Sequence, residues 1–244
     1  MKTTRRSALK TAAALTSASV FTVSKVRAAE AGDHYIAKNG RINQSFVTWN
    51  FRPLTVPELA KLAVKFGVKS IELVGPELWP MLKELGLKCA IAGSHGFAKG
   101  FAQPEQHAEC LKVLEQRLEQ CAAHGVPSVI TFSGFRKGLT VDDATKNTIE
   151  GLKKIAPVAE KHKVTLCLEH LNYRDGSHPM KGHPGYFGDD VDFCVELIRR
   201  VDSPRMKLLF DIYHEQVQLG DVIRTIQQNV QWIGHFHTAG NPLK

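Results

Sequence analysis

Residues 164–169 read VTLCLE, residues 206–211 read MKLLFD, and residues 232–237 read WIGHFH. Each segment is a short, mostly apolar run that ends in a residue able to bind a metal ion or a proton. Continuous apolar runs of this length are typical of strands that are covered on both faces, as in a parallel sheet. The three segments therefore predict neighbouring parallel strands with polar groups at their carboxyl ends.

The same unit, a strand followed by a helix, recurs outward from these segments along the chain. Its helices carry recognisable start and stop signals, such as the capping-box spacing of Thr55 and Glu58 and the terminal Gly67 and Gly125. The pattern predicts strands near residues 42–49, 69–74, 88–92, 128–132, 164–168, 206–210 and 232–237. It also predicts six helices. The first five lie at residues 55–67, 76–85, 104–123, 140–161 and 190–201, and the sixth follows the sixth strand and ends near residue 228.

Alternating strands and helices predict an α/β fold with a parallel sheet, closed as a barrel or open and doubly wound. No Gly-x-Gly-x-x-Gly follows the first strand, which disfavours a dinucleotide-binding open sheet. A barrel typically needs about 250 residues, and 216 follow residue 28. We therefore predict a (β/α)8 TIM barrel over residues 42–244 that is incomplete, with about seven strands and the eighth β/α unit missing.

The first 28 residues predict an export signal rather than part of the domain. Arg5 and Arg6 form a twin-arginine pair, residues 11–23 are mostly apolar, and small residues end the segment at Ala28. Thirteen residues are too few to span a bilayer. We expect the twin-arginine export machinery to deliver the protein to the periplasm or the medium, with residues 29–41 as a flexible leader.

The net charge of +8 comes largely from this export signal. Residues 1–28 hold six of the 32 Lys and Arg residues and no acidic residue, so 26 basic and 24 acidic residues remain. This balance gives little support for nucleic-acid binding, and no later segment is long and apolar enough to predict a stable membrane span. The five cysteines include no Cys-x-x-Cys pair and are interpreted as buried free thiols.

Three polar residues stand where predicted strands end, namely Glu169, Asp211 and His237. Because the carboxyl ends of barrel strands meet at one mouth, these side chains are expected to converge. Two carboxylates and an imidazole suit one divalent ion, Mg²⁺ or Mn²⁺ first, with Zn²⁺ or Co²⁺ as alternatives. Taken alone, each residue is more simply interpreted as a helix cap or an ordinary hydrogen-bonding group, and only the joint pattern favours a metal site. His235 competes with His237, which lies nearer the strand end.

Three further residues are candidates for substrate binding at the same mouth. Glu72 ends the second predicted strand, and His95 follows the third. Lys181 lies in a loop over residues 172–188 that is rich in Gly, Pro and His, which is typical of a lid over a site. For Glu72 and His95, a local helix cap or a loop hydrogen bond is an equally good interpretation. The loop over residues 172–188 is equally well interpreted as a surface segment without a function.

Four motifs together resemble the hydroxypyruvate isomerase branch of the xylose isomerase-like barrels. They are LEHLN at 168–172, HPGY at 183–186, FDIYH at 210–214 and GHFH at 234–237. The resemblance implies an aldose–ketose isomerase that acts on a small sugar or hydroxy acid through an enediolate and one divalent metal ion. It implies that Glu169 is a metal ligand and proton-transferring base, that Asp211 and His237 are ligands, and that His214 contacts substrate oxygens.

The resemblance also implies a second catalytic Glu on an eighth strand, together with an Arg after the seventh. The chain ends at Lys244 before that Glu, with Leu243 and Lys244 in place of the Arg. We therefore expect this chain to be a poor catalyst, because losing one of two such carboxylates costs about 10²- to 10⁴-fold in rate. An open barrel also exposes strand edges, so we expect a melting transition below about 60 °C or association into homo-oligomers.

Other functions stay open on the residues alone. A ketose 3-epimerase would use the same metal and base at a different carbon, and a non-catalytic remnant would bind a sugar-like ligand without turnover. A multi-zinc phosphodiesterase on the same barrel would need more His and acidic ligands and a basic face, which the remaining charge disfavours.

Overall fold

The structure is a computed structural model that describes residues 41–178 and 180–241. The predicted export signal and residues 29–40 of the predicted leader lie outside the described residues, as do residues 242–244.

Seven parallel strands run through the described residues. In chain order they are β1 Ser45–Val47, β2 Ser70–Glu72, β3 Lys88–Cys89, β4 Ser128–Thr131, β5 Thr165–Glu169, β6 Met206–Asp211 and β7 Ile233–His237. Strands β1 to β3 form one sheet and β4 to β7 another, each in sequence order, and a bridge between Ala92 and Val129 links the two. The predicted parallel α/β barrel with about seven strands is confirmed, and β1 and β7 do not pair with each other within the described residues.

Helices separate the strands as the sequence pattern predicts. They are α1 Val56–Phe66, α2 Trp79–Glu84, α3 His107–His124, α4 Val141–His162, α5 Val191–Val201, α6 Ile212–Gln218 and α7 Val222–Asn229. The capping box of α1 is present, with Thr55 and Glu58 exchanging hydrogen bonds. The last predicted helix divides into α6 and α7, because Gly220 and Asp221 between them adopt the left-handed conformation with φ of 77° and 50°.

The strands place two hydrophobic layers on their opposite faces. Leu166, Leu168, Leu208 and Phe210 pack in the large core between strands and helices. Cys167 and Leu209 lie in a smaller inner cluster with side chains from β4 and the loop after β5. Because side chains alternate along a strand, Glu169 and Asp211 continue the inner face of Cys167 and Leu209. All five cysteines are free and buried, as predicted.

Strand β7 changes its side-chain phase at Gly234. Ile233 pairs with Leu208, but the next pair joins Leu209 to His235, so Gly234 is an extra residue in the ladder. In a regular strand Ile233, His235 and His237 would share one face. The extra residue leaves Ile233 on the helix-facing core and turns both histidines to the inner face beside Asp211.

Candidate active site

Glu169 is the last residue of β5 and is only 7% exposed. Its Oε1 lies 3.1 Å from Nδ1 of His237. Burial raises the pKa of this carboxyl, and the hydrogen bond with His237 partly offsets that rise. The strand end is fixed by Tyr186, whose hydroxyl donates to the backbone carbonyl of Glu169 and accepts from the backbone N–H of Ser133, both at 3.1 Å.

Asp211 ends β6 and also caps α6. Its Oδ1 accepts hydrogen bonds from the backbone N–H groups of Tyr213 at 2.8 Å and His214 at 3.2 Å. Two bonds from the start of a helix hold the carboxylate in one rotamer. Its other oxygen, Oδ2, is left facing Nδ1 of His237 at 3.9 Å. The helix therefore fixes the position of the oxygen that is available to a ligand.

His237 joins the two carboxylates. One ligand atom from each of Glu169, Asp211 and His237 lies within 4.8 Å of the other two. Burial alone would lower the pKa of His237, but the carboxylates of Glu169, Glu72 and Asp211 together raise it to about 9. In the metal-free chain a proton on this imidazole therefore compensates the buried negative charge. The structure thus brings together the three residues that the sequence predicts as metal ligands.

His214 presents one ring nitrogen as a donor. Its Nδ1 lies 3.1 Å from the backbone nitrogen and 2.7 Å from the side-chain Nδ2 of Asn172. Both atoms of Asn172 are donors, so the proton of the neutral ring is on Nε2. Burial, with His183 and His237 nearby, lowers the pKa of His214 to about 3, which keeps the ring neutral. No role was predicted for Asn172 from the sequence, although this residue ends the LEHLN motif.

Glu72 lies at the same site, although it comes from the other sheet. Its Oε2 is 2.7 Å from Nε2 of His235 and 3.9 Å from Nε2 of His237. His235 and His237 therefore both face inward, so His235 accompanies His237 and partners Glu72 rather than competing for the position of His237.

His95 is held by protein atoms at the ends of β3 and β4. Its Nε2 lies 3.1 Å from Oγ1 of Thr131, and its Nδ1 is 3.1 Å and 3.2 Å from the carbonyl oxygens of Gly96 and Lys99. Nδ1 is thus engaged within the loop that follows β3, and Nε2 is engaged by the last residue of β4. No hydrogen bond or ion pair joins its ring to Glu169, Asp211 or His237 among the described residues.

The loop over residues 172–188 packs onto the site, but Lys181 contributes its backbone rather than its charge. The Lys181 carbonyl accepts a 2.6 Å hydrogen bond from Asn172 Nδ2, the same amide that contacts His214. The Lys181 ammonium lies 3.9 Å from Asp175 within the loop. His183 packs against Phe97 with ring centroids 4.1 Å apart, which holds the loop against the segment that follows β3.

The sequence profile of the xylose isomerase-like TIM barrel family matches residues 28–244. A 2-oxo-tetronate isomerase from Cupriavidus necator is 29% identical over 152 residues, which are 62% of this chain and 55% of that protein. The hydroxypyruvate isomerase of Escherichia coli K12 is 24% identical over 159 residues, 65% of this chain and 54% of that protein. In both cases the match spans little more than half the length of the relative.

Solved structures share the same architecture. An AP endonuclease of family 2 from Brucella melitensis superposes with a TM-score of 0.71 at 22% identity, covering 81% of this chain and 80% of that one. The IOLI protein, solved with a binding zinc atom, superposes with a TM-score of 0.67 at 16% identity, covering 81% and 72%. With the profile match over most of its length, the chain belongs to the xylose isomerase-like TIM barrel family.

Proposed function

We propose that this protein is a metal-dependent isomerase of small sugars or hydroxy acids, of the hydroxypyruvate isomerase type. The observation that carries the proposal is the convergence of Glu169, Asp211 and His237 within 4.8 Å at the carboxyl ends of three adjacent strands. The names of the curated relatives support the reaction class.

The donor set of this cluster fits a divalent cation. Two buried carboxylates and an imidazole lie close together, each with a ligand atom near the others. In the metal-free chain, a proton on His237 supplies the positive charge that a bound cation would otherwise supply. Carboxylate oxygens favour Mg²⁺ or Mn²⁺, while the imidazole also suits Zn²⁺ or Co²⁺. When bound, such an ion would polarise a substrate carbonyl and stabilise the negative charge that develops on neighbouring substrate oxygens.

Glu169 is the group proposed to move the proton. An isomerase must remove a proton from the carbon beside a carbonyl and return one to the neighbouring carbon. Burial raises the pKa of Glu169, which brings a carboxylate closer to the range in which it can both accept and release a proton near neutrality. In this proposal the Nε2–H group of neutral His214 donates a hydrogen bond to a substrate oxygen; the Asn172 contact to Nδ1 and the lowered pKa of the ring support that role.

The proposal is tested by loading the protein with Mg²⁺, Mn²⁺, Co²⁺ or Zn²⁺ and following hydroxypyruvate, 2-oxo-tetronate and ketoses in D₂O by NMR. Isomerisation or deuterium uptake at the carbon beside the carbonyl is expected, and Glu169→Gln should slow it about 10²- to 10⁴-fold. Glu150→Gln, an exposed change on α4, is the matched control.

Three results would contradict parts of this proposal. Unchanged exchange in Glu169→Gln would remove that residue from the role of base. Exchange with ketoses alone, at the third carbon, would favour the ketose 3-epimerase alternative. Metal and sugar binding without exchange would leave a non-catalytic binding protein.

Export by the twin-arginine machinery is part of the same proposal and rests on Arg5 and Arg6, which lie outside the described residues. Cell fractionation should find the protein in the periplasm or medium, and a variant with both arginines changed to lysine should stay in the cytoplasm. Among the described residues, no helix combines the length and the apolar character that crossing a bilayer requires.

Self-association is likewise proposed, through the edges of β1 and β7 that stay unpaired within the described residues. Sedimentation at two concentrations should show a mass that rises with concentration. A single monomeric species at both concentrations would refute it.

A further inference from the structure

The two ring nitrogens of His237 face two different groups of ligand atoms. Its Nδ1 faces the first cluster, 3.1 Å from Glu169 Oε1 and 3.9 Å from Asp211 Oδ2. Its Nε2 points the other way, toward Glu72 Oε2 at 3.9 Å. This Nε2 is fully buried and has no hydrogen-bond partner among the residues that the structure describes. A buried polar atom without a partner requires a physical reason, and a missing ion is one such reason.

A second cluster of ligand atoms surrounds this unpartnered nitrogen. Glu72 from β2 and His235 from β7 lie with His237 such that one ligand atom of each is within 4.8 Å of the others. Glu72 is buried, and its Oε2 is 2.7 Å from His235 Nε2. A divalent ion would replace the proton that this oxygen and nitrogen now share.

We propose that Glu72, His235 and Nε2 of His237 form a second cation site, with the His237 ring bridging it to the Glu169–Asp211 site. Two imidazole nitrogens and one carboxylate oxygen make a nitrogen-rich set that suits Zn²⁺ or Co²⁺. Three protein ligands leave a position open for water or a substrate oxygen. The first site, with two carboxylates, keeps its preference for a harder ion.

The charges of the two sites together support this assignment. Two divalent ions would be balanced by the three carboxylates of Glu72, Glu169 and Asp211 and by a His237 ring that has lost both nitrogen-bound protons. No buried charge would then remain uncompensated. Binding to both sites must release protons, because each ligand nitrogen is available only without its proton.

The alternative arrangement uses the same contacts without a second ion. A carboxylate commonly accepts a hydrogen bond from the other nitrogen of a metal-binding histidine and so orients the ring. In that case Glu72 is a positioning residue and the protein binds one ion. The number of bound ions separates the two arrangements, and the inference depends on the proposed function only through the shared His237.

The test is equilibrium dialysis of the metal-free protein against Co²⁺ and Zn²⁺, with ions counted by elemental analysis and Co²⁺ geometry read from visible absorption. The wild type should bind two ions. Glu72→Gln and His235→Asn should each bind one, with the second dissociation constant raised at least about tenfold. Asp211→Asn should also bind one ion, with the absorption of the nitrogen-rich site. His178→Ala, an exposed histidine in the loop over residues 172–188, should still bind two.

Each other result has a defined meaning. One ion in the wild type that Glu72→Gln weakens but does not remove would overturn the second site and leave Glu72 as a positioning residue. Two ions in both Glu72→Gln and His235→Asn would also overturn it. A single ion that survives Asp211→Asn and is lost in Glu72→Gln would uphold the second site and refute the first. Circular dichroism of each variant excludes loss of fold as the cause.

Discussion

The candidate site has a carboxylate half, on β5 and β6, and a histidine half, on β7. In the carboxylate half, two regular strands pair without interruption, and Glu169 and Asp211 are both buried. In the histidine half, the strand carries an extra residue at Gly234, and Phe236 beside the histidines is 41% exposed. Regular strand pairing thus determines the positions of the two carboxylates, whereas the extra residue at Gly234 determines which face of β7 the two imidazoles occupy.

This difference predicts that the two halves tolerate substitution unequally. Leu168→Ala, in the carboxylate half, removes a fully buried side chain from the core. It should lower the free energy of unfolding by about 2–5 kcal/mol, measured by urea denaturation. Phe236→Ala, in the histidine half, should cost about 1 kcal/mol or less because the ring is partly exposed. Equal losses in the two variants would show that the halves are packed alike.

A second prediction addresses the irregularity itself. A Cβ on Gly234 would lie 2.8 Å from Lys207 Cβ, which is closer than side chains pack, and 3.1 Å from Cys167 Sγ, which is a tight contact. Gly234→Val should therefore shift β7 and weaken Co²⁺ binding at the Glu169–Asp211 site, on the order of 10- to 100-fold by titration. Gly93→Ala is the control, since a Cβ there meets no atom within 4 Å. Unchanged affinity in Gly234→Val would mean that the extra residue does not aim His237.

The smallest predicted effect is the pH dependence of the metal-free protein. The pKa of His237 is raised from 6.5 to about 9 in the folded chain. The folded state therefore holds this proton more tightly than the unfolded state does. The stabilisation is fully present below about pH 6.5 and is lost as the pH rises through 9.

The melting temperature of the metal-free wild type should fall over this range more steeply than that of His237→Gln. Parallel pH profiles would contradict an imidazolium at the centre of the site. Saturation with a divalent ion should remove the difference, because the ion takes the place of the proton.

The same division separates what the sequence could predict from what it could not. Glu169 and Asp211 follow mostly apolar runs, so the strand ends were enough to predict their convergence. The shift at Gly234 leaves no mark in the apolar pattern of β7, and it appears only when the pairing with β6 is known. The contact between Glu72 and His235 joins residues 163 positions apart and depends on how the sheets face each other, which no local pattern encodes.

The contacts of the loop over residues 172–188 were the other feature that could not be predicted from the sequence. Lys181 was predicted from its place in a loop typical of a lid, but its backbone carbonyl makes the contact to Asn172. Tyr186 was part of a recognised motif without a role, and only the structure shows that its hydroxyl joins the ends of β4 and β5. Such roles depend on where a loop returns to the barrel rather than on its composition.

The cap that Asp211 provides for α6 bears on how the residue is conserved through evolution. Folding alone would favour Asp, Asn or Ser at this position, because each can accept the first backbone hydrogen bonds of a helix. A lineage that had abandoned catalysis would still be selected to keep a small acceptor here. Asparagine or serine at this position in a related chain would therefore signal lost metal chemistry with an intact fold, whereas a retained aspartate would say little about activity.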